Sequence, residues 1–185
     1  ITDAIEEFER TLITPDSRFD KWLRGDDSAI TAEELEGYEL FKTYDCATCH
    51  VGPNLGGQSY ELMGLRKHYF ADRGLELTVE DNGRFKETNE ERDRHRFKVP
   101  GLRNIEHTWP YYHDGTRHTL EEAVTDMALY QSGVELTDEE TGKDIVVFPE
   151  KIDNPDLRTL QEYSRILIKG PGGQGKSTFL YRLSQ

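Results

Sequence analysis

Cys46-Ala47-Thr48-Cys49-His50 sets two thiols one helical turn apart, with an imidazole directly after them, and uses both cysteines of the chain. Thiols at this spacing can each add across one vinyl group of a porphyrin. The adjoining His then falls beneath the iron as an axial ligand. A zinc site would need a second Cys or His pair at short spacing, and the sequence has none. A C-x-x-C redox pair would have no use for the His. The run therefore predicts one covalently bound haem c, with Cys46 and Cys49 as attachment points and His50 as the proximal iron ligand.

The sixth iron position has two thioether candidates, Met63 and Met127, the only methionines, beside five further histidines. A thioether favours the ferrous state and raises the potential, which suits electron transfer. Met63 lies 13 residues after His50 (63 minus 50), on a loop close to the attachment segment. Met127 lies 77 residues on (127 minus 50), on a helix that can return across the opposite haem face. Spacing favours the distant one slightly. Against that, a Met on an apolar helical face is more often core than ligand, so both stay open on the residues alone.

The elements that must position these groups are legible in outline. Residues 1–45 carry 13 acidic and 5 basic side chains, with helical patterns from Ala4 to Leu12 and from Thr31 to Tyr44. Thr31 followed by Glu34 predicts a capping box at the start of the second helix, which delivers the chain to Cys46. After His50, Gly52-Pro53-Asn54-Leu55-Gly56-Gly57 forms a loop suited to close backbone approach around a flat cofactor. Residues 66–98 are dense in mixed charge and weakly periodic, and read as a long surface excursion with a solvated face. Thr119 predicts the cap of a helix through Ala128, and Thr137 to Phe148 one more, stopped by Pro149. The fold class expected is mainly α, a class I cytochrome c-like helical haem domain with long loops.

Composition narrows the function classes. The 185 residues carry 23 Lys plus Arg against 36 Asp plus Glu, a formal charge of -13 that argues against nucleic acid as a partner. The apolar fraction is 35%, so a large haem would supply much of the core. No stretch approaches the ~20 apolar residues of a membrane span. No signal peptide is visible, although haem attachment to C-x-x-C-H takes place outside the bacterial cytoplasm. The chain thus reads as a mature form or fragment of a periplasmic protein.

Four segments occur in one order: Leu12-Ile13-Thr14-Pro15-Asp16-Ser17-Arg18-Phe19-Asp20; C-A-T-C-H with its Gly-rich loop; Phe97-Lys98-Val99-Pro100-Gly101-Leu102-Arg103-Asn104; and Thr108-Trp109-Pro110-Tyr111-Tyr112-His113-Asp114-Gly115. Together they resemble the C-terminal half of bacterial dihaem cytochrome c peroxidases and their MauG-like relatives, over roughly residues 10–148. The resemblance implies an electron-transferring, high-potential haem domain with His50 proximal and Met127 distal. It implies an interdomain-type segment over residues 1–30, and a calcium ion held partly by the backbone carbonyls of Thr108 and Pro110. His113 matches a family histidine whose role is either functional or that of a hydrogen-bonded core His. The implied partners are an N-terminal peroxidatic haem domain, a small donor cytochrome or copper protein, and a second copy in a homodimer.

Two departures qualify the resemblance. The chain has a single C-x-x-C-H, whereas the family cleaves peroxide at a second haem with an open iron position. It is therefore expected to pass electrons rather than turn over peroxide, with a stand-alone monohaem cytochrome c or a nucleotide-binding P-loop fusion as the alternatives. After a junction over residues 149–164, residues 165–185 depart further. Gly170-Pro171-Gly172-Gly173-Gln174-Gly175-Lys176-Ser177 satisfies G-x-x-x-x-G-K-[ST], with a strand-like run before it and a helix-compatible run after. It resembles the opening of a P-loop NTPase, with Gly170, Gly175, Lys176 and Ser177 as nucleotide-binding candidates. Only eight residues follow Ser177 (185 minus 177), so a truncated tail rather than nucleotide hydrolysis is expected.

Overall fold

The computed structural model describes residues 2–11 and 16–142. The P-loop-like segment, the junction before it and the end of the helix expected to reach Phe148 lie outside the described residues. The described chain is mainly helical. Its elements are α1 (Thr2–Thr11), α2 (Arg18–Leu23), α3 (Ala32–Thr43), β1 (Tyr60–Leu62), α4 (Tyr69–Asp72), α5 (Phe85–Thr88), β2 (Arg96–Lys98), α6 (Leu120–Met127) and α7 (Asp138–Gly142). Short 3-10 turns lie between them, one of them carrying Cys46 to Thr48, and a π-helix over Ala128–Ser132 continues α6.

The helix starts follow from local chemistry. Ser17, Thr31 and Thr119 each cap the next helix, and each is answered three residues on by Asp20, Glu34 or Glu122 in a complete capping box. Two of these boxes do more than cap. Glu34, 4% exposed, accepts from the Thr31 backbone N–H at 2.6 Å and takes both Nη atoms of Arg18 at 2.6 and 2.5 Å. Arg18 Nε donates to the Ala29 carbonyl at 2.9 Å, so one guanidinium locks α2, the following loop and α3 together. Arg18 remains 40% exposed, so solvent screens its half of the pair. Glu34→Ala is therefore expected to cost about 1–2 kcal/mol, mostly through the lost cap bond and the uncovered Thr31 N–H. Urea unfolding of the two proteins measures it.

Between α2 and α3 the packing is aromatic. Phe19 meets Trp22 (5.7 Å between centroids) and Tyr38 (5.4 Å), and Tyr38 stacks towards Phe41, which is 6.4 Å from the His50 ring. This cluster anchors the segment that presents Cys46 to His50.

The charged region 66–98 is largely the solvated surface excursion expected of it, with a few residues buried. It folds through α4, α5 and β2, and β2 pairs antiparallel with β1 in the register Tyr60 to Lys98 and Leu62 to Arg96. Tyr69 and Asp81 are each 1% exposed. The Arg73 guanidinium, 4% exposed, grips Asp81 with both Nη atoms at 2.9 and 2.7 Å and reaches Asp114 at 2.7 Å. Asp81 also accepts from the Thr78 N–H (2.7 Å) and pairs with His113 Nε2 (2.7 Å). His113 stacks on Phe97 of β2, with centroids 4.3 Å apart. The sequence showed the charges; the fold buries this cluster and leaves most of the others exposed.

Candidate haem site

The attachment segment is a single 3-10 turn. Asp45 enters it with φ +61°, and His50 N–H closes back on the Cys46 carbonyl at 3.0 Å. Both cysteines are free and half-buried. Burial pushes both thiols above their usual range, helped at Cys46 by Asp45 and Cys49 and at Cys49 by Glu61. Burial therefore disfavours the thiolate at both positions.

His50 is oriented by backbone. Its Nδ1 lies 3.0 Å from the Leu55 carbonyl, a pure acceptor, so Nδ1 carries the proton and Nε2 keeps its lone pair for a metal. Burial lowers the imidazole pKa, while the carbonyls of Leu55 and Pro100 work the other way. The neutral ring is the ligand form.

The loop that supplies Leu55 is wound tightly. Leu55 itself sits at φ +51°, a left-handed conformation that costs a side-chain-bearing residue roughly 1–2 kcal/mol. Gly56, at φ +141°, lies so close to the next strand of chain that an added Cβ would overlap the Pro100 carbonyl. Leu102 N–H donates to the Asn54 carbonyl at 3.0 Å and Gly57 N–H to that of Val99 at 2.8 Å. The Val99–Arg103 segment following β2 thus backs the loop along its length.

Met127 ends α6, and the π-helix behind it folds onto the attachment segment. Ser132 Oγ donates to the Tyr44 carbonyl at 2.6 Å, the same carbonyl that faces the Cys46 thiol at 3.8 Å. Gln131 clamps the exit of β1. Its Oε1 accepts from the Gly64 and Leu65 N–H groups, and its Nε2 donates to the Leu62 carbonyl, spanning the position of Met63. Both methionines are half-buried. A π-helix beside a candidate ligand fits the frequent use of such bulges at functional sites. Gln131 and Ser132 could not be picked out from the sequence, since neither belongs to a motif.

The other candidates divide. Thr108 ends a 3-10 turn and Pro110 follows an exposed Trp109 through a cis peptide bond. Two carbonyls are far short of the six to eight oxygens Ca²⁺ takes. Among the described residues, the one His/Cys/Asp/Glu cluster of metal-binding dimensions is Asp81, His113 and Asp114. The Arg73 guanidinium bonded to both carboxylates gives that cluster its counter-charge and makes it a structural lock. His113 is hydrogen-bonded to Asp81 within this lock.

Comparison with known proteins agrees with the geometry. A family model described as di-haem cytochrome c peroxidase matches residues 1–28. Cytochrome c peroxidase Ccp of Escherichia coli (strain K12) is 56% identical over 148 residues, covering 80% of this chain and 31% of that protein. Cytochrome c551 peroxidase of Nitrosomonas europaea is 49% identical over 160 residues, covering 85% of this chain and 46% of that protein. The chain belongs to the dihaem cytochrome c peroxidase/MauG family. It spans less than half the length of either of these relatives. A crystal structure of a MauG-like protein associated with microbial copper homeostasis superposes with a TM-score of 0.54 at 31% identity, covering 65% of this chain and 40% of that one.

Family membership makes haem c the group to test against these residues, and they fit it. Among the described residues seven apolar side chains are buried, and two of them are alanines, a thin core for this length. A flat apolar cofactor seated on Cys46, Cys49 and His50 would complete it. Two thiols and one pre-oriented neutral imidazole, in C-x-x-C-H order, are the groups that covalent attachment of haem c uses. Among the described residues no helix is long and apolar enough to cross a membrane.

Proposed function

We propose that residues 1–148 form the electron-transferring haem domain of a dihaem cytochrome c peroxidase, of class I cytochrome c type. The observation that carries the proposal is the His50 geometry: a C-x-x-C-H turn whose His donates Nδ1–H to the Leu55 carbonyl, leaving Nε2 free. When bound, the haem supplies a one-electron ferric/ferrous couple. Cys46 and Cys49 would hold the cofactor on one turn of backbone, and His50 would offer its Nε2 to the iron. Met127, carried by a helix whose continuation is tied to Tyr44, would offer its sulfur. The Gly-rich loop and the Val99–Arg103 segment hold the His50 ring in place.

On this reading electrons arrive from a small donor cytochrome or copper protein and leave for a peroxidatic haem on the other domain of the full-length protein. Thr108 and Pro110 would add two carbonyls to a calcium site completed by that domain. The setting is periplasmic, where C-x-x-C-H motifs are loaded.

The test is expression with a c-type maturation system. Covalent haem by mass, lost in a Cys46→Ala/Cys49→Ala variant, and a low-spin six-coordinate spectrum are expected. Peroxide turnover with a small reduced donor should stay near background, because His50 and Met127 would both be committed to the iron. Rapid turnover by this chain alone would show an open iron position and overturn the electron-transfer reading.

A further inference from the structure

One side chain outside the ligand set ties the haem loop to α2. Arg103 Nε donates to the Pro53 carbonyl at 2.5 Å, inside the haem loop and two residues before Leu55. Its two Nη atoms take the Asp20 carboxylate at 2.7 and 3.2 Å. Asp20 is in turn fixed as the third residue of the α2 capping box, accepting from the Ser17 N–H at 3.2 Å. The pair is mostly buried, 22% and 17% exposed. The Arg103 hydrogen bond, foremost among several causes, holds the Asp20 carboxyl below the usual range. The backbone around Arg103 is committed to the same loop, through Leu102 N–H on Asn54 and the Pro100 carbonyl against Gly56 and His50.

The loop needs such a brace. It holds Leu55 and three glycines, Gly52, Gly56 and Gly57, at positive φ, so its own backbone preferences do not fix where the Leu55 carbonyl points. A guanidinium suits the task because its planar fork can serve a carbonyl and a carboxylate at once, which an ammonium cannot do with the same geometry.

We infer that Arg103, braced by Asp20, is a positioning residue that aims the Leu55 carbonyl at His50 Nδ1–H and thereby tunes the electronic character of the proximal ligand. The inference rests on the reading of His50 as the haem ligand. A firm Nδ1–H···O=C bond makes the imidazole a stronger donor, stabilises the ferric state and lowers the potential. Slackening the loop weakens that bond and raises the potential. Substituting Arg103 alone would confound this, since it leaves Asp20 as an uncompensated negative charge that lowers the potential. Asp20→Asn/Arg103→Met removes one charge of each sign and the guanidinium bond to Pro53, while Asn at position 20 can still accept from Ser17.

The experiment uses the haem-loaded protein. In the double variant the potential should move upward. The His50 ring N–H, followed by its paramagnetically shifted NMR signal in the ferric protein, should exchange with solvent at least tenfold faster than in wild type. Arg103→Lys, which keeps the charge but not the fork, should shift both readouts the same way by less; it carries the test if the double variant does not fold. Covalent haem and overall fold should be retained, so a stability change alone would not account for the shift. Wild-type potential and wild-type exchange in either variant would overturn the role of Arg103 and leave the haem reading intact. A loaded wild-type protein whose His50 ring proton shows no paramagnetic shift would overturn both.

Discussion

Asp81→Asn is expected to destabilise the fold by about 3–5 kcal/mol, the usual cost of removing one partner from a buried ion pair. Arg73 is 4% exposed, and the change would leave its guanidinium with the Asp114 carboxylate as its remaining ionic partner. His113 and the Thr78 N–H would lose an anionic acceptor as well. The effect reaches the haem site through His113 stacked on Phe97, since β2 leads directly into the segment that backs the His50 loop. Denaturant unfolding of the two proteins at neutral pH measures the difference, and a loss under about 1 kcal/mol would show that the lock is not buried as described.

The same pair sets an acid limit. Arg73 holds the Asp81 carboxyl far below the usual carboxylate range, with Thr78 and His113 adding to it and burial opposing. A carboxylate with a depressed folded pKa contributes stability that is complete above its unfolded pKa, about 3.9, and is lost as pH falls towards the folded value. Wild type should therefore lose stability steeply below about pH 4, and the gap between it and Asp81→Asn should narrow over the same range. A gap that widened on acidification would reverse the sign of the argument.

What could be read from the sequence was what is local. Thr31 with Glu34 and Thr119 before α6 were legible as caps because the partners stand within one turn, and the structure has both. The C-x-x-C-H run was legible because its chemistry lies within five consecutive residues. The four-segment resemblance reached the family, and the relatives confirm that membership. Within residues 66–98 the buried cluster went unread for a physical reason: a charge looks solvated until its partner is known, and Arg73 finds Asp114 across 41 positions. The β1–β2 pair joins three-residue strands too short to show alternation. Arg103 lay inside a quoted motif, yet its grip on Pro53 spans 50 positions, and no periodicity encodes such a contact. Gln131 and Ser132 stand in a π-helix, whose register no helical pattern anticipates.

The choice between the two methionines is where local reading ran out, and it yields the second large effect. Met63 N–H donates to the His95 carbonyl at 2.9 Å beside the end of β1, and Gln131 pins the backbone on either side of it. Met127 is placed by a helix anchored at both ends, at Thr119 by its cap and at Ser132 by the Tyr44 carbonyl beside Cys46. A distal ligand must come from an element independent of the proximal loop yet fixed relative to the attachment turn, and α6 with its π-helix meets both conditions. Met127→Ala should therefore keep haem covalently attached through Cys46 and Cys49 but free a coordination position. The potential should fall by on the order of tenths of a volt, a fraction of the roughly 0.8 V that axial ligands span. The near-infrared charge-transfer band of Met–Fe ligation should vanish, and peroxide turnover should rise above the wild-type background. Met63→Ala should leave the band and the potential in place. If the band instead survives in Met127→Ala and vanishes in Met63→Ala, the sulfur comes from the β1 side, and α6 serves only as packing.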